Sequence, residues 1–150
     1  MYIILVSFII IVVDQVSKYL VNDFFSSHPE SLSLIPNIFH LTYVENTGVA
    51  FGMFRNHPII LAVIIFISLL LLICYAVKSH QGKVYFYLAY GFILGGAFGN
   101  IIDRMRLGFV VDFLDFRIWP VFNLADTFIS IGVGLVILEM LFHQETKNKG

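Results

Sequence analysis

Two aspartates in this chain lie in apolar surroundings, where a carboxylate is costly. Asp112 follows two valines and precedes Phe113, and Asp126 lies near the start of the apolar stretch 124–142. A charged side chain inside a membrane costs at least about 2.5–3.5 kcal/mol, so such residues usually have a function. Two neighbouring carboxyl groups can share one proton, and the ionised group can then activate a water molecule. The pair is therefore a candidate for general acid–base chemistry.

Each of these acids also has a structural explanation that the sequence leaves open. Asp126 could cap a helix or place its charge in the first turn, where the helix dipole stabilises an acid. Asn123 could act as that cap instead. Asp115 lies three residues after Asp112, so one of these two could be a solvated loop residue.

Two further pairs of charged residues are spaced for ion pairing. Asp14 and Lys18 are four residues apart, which places them on one side of a helix. Asp103 and Arg104 are adjacent after an apolar segment and predict a structural ion pair or an interfacial anchor. A paired charge in lipid costs far less than a lone one, so both pairs favour structural support.

Composition indicates that membrane-spanning helices position these residues. Of the 150 residues, 59% are hydrophobic and 13% are charged, whereas soluble domains contain about 25% charged residues. The net charge of −1 provides no basic surface for nucleic acid. A helix of about 20 apolar residues crosses a bilayer, and four stretches meet that requirement: 2–21, 59–77, 84–102 and 124–142. We predict a single all-α membrane domain, residues 1–150, with four transmembrane helices.

Four spans place both termini on one side of the membrane and the loops 22–58 and 103–123 on the other. Lysines lie in the short connection 78–83 and in the C-terminal tail, while the basic residues opposite are interleaved with acids. The positive-inside rule therefore favours cytoplasmic termini, although the basic residues divide almost evenly. No basic residue precedes the first span and no Ala-x-Ala motif follows it, so we expect it to remain uncleaved.

Two local patterns predict how the spans and the first loop are built. Gly91, Gly95 and Gly99 recur every four residues, which favours close packing of the third span against a neighbouring helix. That packing should bring the ends of the third and fourth spans together. Residues 39–45 alternate in polarity and predict a strand, and 46–48 predict a turn. We expect a small extracytoplasmic sheet or hairpin in the first loop.

Other catalytic chemistries lack the residues they need. Cys74 is alone within an apolar run, and the five histidines do not show the His-x-x-x-His spacing of a helical zinc site. No Gly-x-Ser-x-Gly motif or glycine-rich phosphate loop occurs. We therefore expect no metal and no cofactor, and carboxylates are the only well-represented reactive groups.

Several segments together match one family. They are Asp14-Gln15-x-x-Lys18, the stretches 46–52 and 95–104, Gly108-Phe109-Val110-Val111-Asp112-Phe113, and Phe122-Asn123-Leu124-Ala125-Asp126-Thr127. In this order and over nearly the whole length, the chain resembles lipoprotein signal peptidases (signal peptidase II), which are aspartic peptidases of the bacterial inner membrane. Two departures, Val49 for alanine and Thr127 for serine, remove no reactive group.

The resemblance implies a role for each position of this chain that matches one of the family's motifs. The catalytic aspartates of the family fall on Asp112 and Asp126. The substrate-binding or site-supporting residues fall on Asn46, Gly48, Phe51, Asn100, Asp103, Arg104, Asn123, Asp14 and Lys18. Phe51 and Phe54 are interpreted as apolar side chains of a lid over the aspartates, or alternatively as interfacial anchors.

The resemblance also implies the reaction and its location. The substrate would be a diacylglyceryl-modified prolipoprotein, cleaved just before its lipidated cysteine by a hydrolase that needs no metal or cofactor. The enzyme would be a multi-pass monomer of the bacterial plasma membrane, with cytoplasmic termini and its site near the outer leaflet. The alternative is a small four-span transporter or channel, because acids within membranes also mark ion pathways.

Overall fold

The computed structural model describes residues 2–48, Ile67 and 84–147. The predicted span 59–77, the connection 78–83, Phe51 and Phe54 therefore lie outside the described residues, Ile67 excepted. The elements, in chain order, are helix α1 (Tyr2–Ser27), strands β1 (Leu32–Ile35) and β2 (Phe39–Asn46), helix α2 (Val84–Leu107), strand β3 (Val110–Asp115) and helix α3 (Leu124–Lys147).

The three helices begin where the sequence predicts but extend five or six residues beyond the predicted ends. In particular, α2 continues through Asp103 and Arg104, which were expected in a loop. It ends at Gly108, whose positive φ of 84° and N–H bond to the Arg104 carbonyl (3.1 Å) form a C-terminal cap. Hydropathy alone could not place these ends, because charged residues close the apolar window one turn before the helix stops.

Helix α1 has an apolar outer surface and a polar inner surface. Large apolar residues along it are exposed, including Ile4, Phe8 and Leu20, whereas Asp14 and Lys18 are buried. This inverts the pattern of a soluble helix and suits a helix surrounded by lipid. Among the described residues, α1 and α2 are each long and apolar enough to cross a membrane.

Glycines bring α2 close to both other helices. A Cβ atom at Gly95 would lie 2.8 Å from the Ser7 carbonyl oxygen of α1, and one at Gly99 would meet the Asp14 carboxylate. Gly96, on another side of α2, faces the Ala125 carbonyl of α3. The predicted close packing is confirmed, but the glycines at 91, 95 and 99 contact α1, and Gly96 provides the contact with α3.

A three-stranded antiparallel sheet in the order β1-β2-β3 lies at one end of the helices. Strand β2 is the predicted strand, and it pairs with β3 in a register that places Val44 opposite Asp112 and Asn46 opposite Val110. Strands β1 and β2 confirm the small sheet or hairpin predicted in the first loop of the all-α fold. The prediction needs one correction, because the second loop supplies the third strand, β3. The run that forms β3 is short and does not alternate between apolar and polar residues, so its pattern did not predict a strand.

Candidate active site

Asp112 lies in the middle of β3 and is almost completely buried, with 1% of its surface exposed. Its two carboxylate oxygens accept hydrogen bonds from two asparagine amides. Asn46 Nδ2 donates to Oδ2 over 2.8 Å, and Asn123 Nδ2 donates to Oδ1 over 2.6 Å. The strand register explains the first contact, because Asn46 is the last residue of β2, the strand that pairs with β3.

Asp126 and Asn123 form a reciprocal cap at the start of α3. The Asn123 side-chain oxygen accepts the Asp126 backbone N–H at 2.9 Å, and Asp126 Oδ2 accepts the Asn123 backbone N–H at 3.4 Å. This arrangement has the geometry of a capping box. The structure thus answers the question that the sequence left open: Asn123 is the cap, and Asp126 occupies the first turn.

The cap joins the two aspartates into one cluster. Asn123 touches both carboxylates, and Asn100 Nδ2 of α2 donates to Asp126 Oδ1 over 2.8 Å. Asn123 Nδ2 also donates to Asn100 Oδ1 over 3.1 Å. Residues from β2, β3, α2 and the start of α3 therefore converge on two buried or half-buried carboxyl groups.

The surroundings of Asp112 change its acidity. Burial raises its pKa from 3.8 to about 6; the negative charge of Asp126 also raises it, while the amide bonds from Asn46 and Asn123 oppose the change. A carboxyl group with this pKa can gain or lose a proton near neutral pH, as a general acid or base must.

A buried cluster of charged residues from α1 and α2 supports the site. Lys18 Nζ lies 2.8 Å from both the Asp14 and the Asp103 carboxylates and donates to Asn100 Oδ1 over 3.0 Å. Lys18 therefore orients the Asn100 amide so that its Nδ2 faces Asp126. Removing one partner from such a cluster leaves unpaired buried charge and typically costs about 3–5 kcal/mol.

The same cluster ties three elements together. Asp14 Oδ1 accepts the Ala125 N–H (2.9 Å) at the start of α3, and Asp103 Oδ2 accepts the Val111 N–H (3.2 Å) of β3. The predicted Asp14–Lys18 ion pair is confirmed. The expected pairing of Asp103 with Arg104 is wrong, because neighbouring residues on a helix point in different directions and Asp103 pairs with Lys18 of α1.

Arg104 links α2 to the turn that follows β2. Its guanidinium donates to the Gly48 carbonyl over 3.1 Å and to the Asn100 carbonyl over 3.3 Å. The turn at 46–48 is present, since Asn46 Oδ1 accepts the Gly48 N–H over 2.9 Å. The one side chain of Asn46 thus holds both the turn and Asp112.

Asp115 is on the same strand as Asp112 but belongs to a different group of contacts. Partial burial raises its pKa, but the Arg117 backbone N–H, the Thr42 hydroxyl and the Arg117 charge lower it more, leaving the pKa below its usual value. The Thr42 and Arg117 contacts measure 2.9 and 2.8 Å. Asp115 is therefore paired within the sheet and its turn.

Two features near the site, the Gln15 side chain and a groove, were given no role from the sequence. Gln15 Nε2 donates to Asp103 (2.8 Å) and to the Gly99 carbonyl (3.2 Å), which its position beside Asp14 could have suggested. A groove of about 540 Å³ runs along the start of α3 and reaches Asp126. Nothing in the spacing of its aromatic residues, among them Phe116, Trp119 and Phe122, indicates a groove.

Comparison with known proteins identifies the family to which this architecture belongs. The family model of signal peptidase (SPase) II matches residues 6–142. The chain belongs to the signal peptidase II family. A lipoprotein signal peptidase from Halothermothrix orenii is 48% identical over 143 residues, which cover 94% of this chain and 95% of that protein. One from Moorella thermoacetica is 42% identical over 138 residues, 91% of each.

A solved structure agrees with the family assignment. A structure described as a bacterial membrane enzyme superposes with a TM-score of 0.82 at 32% identity, covering 99% of this chain and 91% of that one. At this identity and coverage the two proteins share a fold, and the signal peptidase II family is one of bacterial membrane enzymes.

Proposed function

We propose that this member of the signal peptidase II family is a membrane aspartic endopeptidase that cleaves diacylglyceryl-modified prolipoproteins just before the lipidated cysteine. Family membership supports the reaction, since relatives at 42–48% identity are lipoprotein signal peptidases. The observation that carries the catalytic assignment is the convergence of Asp112 and Asp126 on Asn123.

The two aspartates act as an acid–base pair. With one proton between them, the ionised carboxylate takes a proton from a water molecule as that water attacks the scissile carbonyl. The protonated carboxyl donates a hydrogen bond to the carbonyl oxygen, where negative charge develops. The negative charge of Asp126 adds to burial in raising the pKa of Asp112, which favours the protonated form of Asp112.

The polar neighbours keep the pair in place. Asn46 and Asn123 hold both oxygens of Asp112, and Asn100 holds one oxygen of Asp126. Arg104 holds the Gly48 carbonyl and thereby the turn that carries Asn46. Asp14, Lys18 and Asp103 support this arrangement from the helix side through Asn100. None of these steps requires a metal or a cofactor.

The remaining parts of the proposal concern the membrane. The chain crosses it four times, with both termini in the cytoplasm, and the sheet and both aspartates lie near the outer leaflet. The enzyme acts as a monomer because one chain supplies every residue assigned to the site. A transporter or channel is not favoured by the family assignment.

The direct test uses purified protein in detergent micelles and one synthetic prolipoprotein, supplied with and without the diacylglyceryl group on its cysteine. We expect the lipidated substrate to yield a product whose N-terminal residue is the lipidated cysteine, as identified by mass spectrometry. Cleavage at another bond, or equal turnover of the substrate without lipid, would contradict the proposal.

A further inference from the structure

The groove beside Asp126 has two unlike walls. The aromatic side chains of the connection between β3 and α3 form one wall, and α3 forms the other. We call it the aromatic groove; its lining residues include Phe116, Trp119, Phe122, Asp126, Ser130 and Ile131. Its volume of about 540 Å³ lies within the range of sites that bind small molecules or parts of larger ones.

The aromatic wall is held rigidly. Phe122 is bonded to β3 in both directions, since its N–H donates to the Leu114 carbonyl (3.1 Å) and its carbonyl accepts the Leu114 N–H (2.8 Å). The Phe116 and Phe122 rings stack at 5.9 Å with an angle of 12° between their planes. A groove wall fixed in this way is a feature of the folded protein rather than a gap between loose side chains.

The groove opens where apolar side chains are exposed. Ile118 and Trp119 are 93% and 62% exposed, and Ile131 on the opposite wall is also exposed. In a membrane enzyme, exposed apolar residues of this kind face lipid, and tryptophan favours the boundary between lipid and water. The groove therefore offers a lateral route from the bilayer to Asp126.

The chemistry of the walls distinguishes two candidate occupants. A peptide backbone needs a hydrogen-bond partner for each amide when it leaves water, whereas an acyl chain needs none. Apart from Asp126, the polar side chains lining the groove among the described residues are Thr127 and Ser130. The Thr127 hydroxyl already donates to the Asn123 carbonyl (3.0 Å). Hydrocarbon fits such walls better than peptide.

We propose that the aromatic groove binds one acyl chain of the diacylglyceryl group on the substrate cysteine. This inference rests on the proposed function, because the occupant must be attached next to the bond that Asp126 helps to cleave. The groove shares Asp126 with the catalytic pair, so a chain held there would fix the lipidated cysteine beside the carboxylates. The groove would then discriminate between acyl chains of different length, while the polar cluster binds the peptide.

The test compares two versions of one prolipoprotein, carrying either palmitoyl or butanoyl chains on the cysteine. Ile131→Trp should fill the groove, and Ile137→Trp, on an exposed part of α3 outside the groove, is the matched control. We expect Ile131→Trp to lower the ratio of kcat/KM for the long-chain to the short-chain substrate about tenfold, since excluding two or three methylenes has that effect. The control should keep the wild-type ratio.

A second measurement does not depend on a filled groove. A substrate whose acyl chain ends in a diazirine would be photo-crosslinked to the inactive Asp112→Asn protein, and adducts mapped by mass spectrometry. Adducts on 116–131 support the proposal. An unchanged ratio with Ile131→Trp, or adducts confined to other segments, overturns it. Failure of the wild type to cleave either substrate would instead contradict the proposed function.

Discussion

The two oxygens of Asp112 accept short hydrogen bonds from amides, although its carboxyl group is buried. The amide bonds favour the ionised form and burial favours the protonated form, and burial has the larger effect on the pKa. The result is an acid that titrates near neutral pH, held in one orientation by residues that do not titrate. Such a group suits catalysis better than it suits stability.

Because the pKa of Asp112 is raised, the stability difference between Asp112→Asn and wild type should depend on pH. The pKa of Asp112 is about 6 in the folded protein, against an ordinary value of 3.8 for an aspartate, so wild-type stability falls as pH rises from about 4 to 6. Asn cannot ionise. We therefore expect the unfolding free energy of Asp112→Asn, relative to wild type, to increase by up to about 3 kcal/mol from pH 4 to pH 7. Thermal unfolding in detergent micelles measures this difference.

Asp115 provides a control of opposite sign for that measurement. Its pKa is lowered in the folded protein, so it stabilises the fold at higher pH and loses this contribution as pH falls. The stability of Asp115→Asn relative to wild type should therefore decrease as pH rises. Parallel stability curves for wild type and Asp112→Asn would contradict the account of the Asp112 environment.

Arg104 is expected to require its guanidinium and not only its charge. It donates to two carbonyls, those of Gly48 and Asn100, and a lysine ammonium cannot reproduce that planar geometry. We expect Arg104→Lys to lower kcat/KM about tenfold or more, as loss of a charged hydrogen bond does. Arg106→Lys is the control, because Arg106 is exposed and its contact with Gln15 is long, 3.4 Å. If both variants are equally active, Arg104 serves only as an anchor at the membrane interface.

At the scale of elements, the site depends on how closely α2 approaches α3. A Cβ atom at Gly96 would meet the Ala125 carbonyl, directly before Asp126, and would lie 2.8 Å from Ile129 Cγ1. Since neither backbone can yield easily, Gly96→Ala should shift the start of α3 and cost about 1–3 kcal/mol. We expect a lower unfolding temperature and a reduced turnover.

Gly134 offers a matched control on α3. Among the described residues, none would lie within 4 Å of a Cβ atom there, so Gly134→Ala should leave turnover unchanged and keep or raise the unfolding temperature. If Gly96→Ala behaves like Gly134→Ala in both measurements, close packing of α2 on α3 does not position the site.

Elements with a regular local pattern could be predicted from the sequence. Apolar length placed the starts of α1, α2 and α3, and alternation placed β2. Strand β3 could not be predicted because its stability comes from pairing with a strand far along the chain. The Lys18–Asp103 ion pair was missed for a similar reason, since it depends on how two helices pack. Asn46, Asn100 and Asn123 were assigned to one site only through the family resemblance, because no spacing rule joins them.

Over the whole molecule, the distribution of polar and apolar residues suits a protein surrounded by lipid. Exposed apolar residues cover α1, while charged groups gather inside where α1, α2 and α3 meet. This places the costly carboxylates where partners are available. The sheet then covers one end of the helices and adds Asp112 to the cluster.

The proposed topology predicts which positions a membrane-impermeant maleimide can reach. In a Cys74→Ala background, Glu30→Cys should be labelled from outside intact spheroplasts, because Glu30 is exposed between α1 and β1. Gln81→Cys, in the predicted cytoplasmic connection 78–83, should be labelled only after the membrane is opened. The reverse pattern would place the aspartates at the inner leaflet and contradict the topology.

We infer that Asp112 and Asp126 carry out the cleavage together, and the activity of their asparagine variants decides whether they do. Cleavage of a diacylglyceryl-modified prolipoprotein would be measured for wild type, Asp112→Asn, Asp126→Asn and Asp115→Asn, each confirmed as folded. Asp115 is the matched control because it lies on the same strand and pairs with Arg117 outside the cluster. We expect no detectable cleavage by the first two variants and substantial cleavage by Asp115→Asn. Turnover by either Asp112→Asn or Asp126→Asn, or an inactive Asp115→Asn beside an active Asp112→Asn, would contradict it.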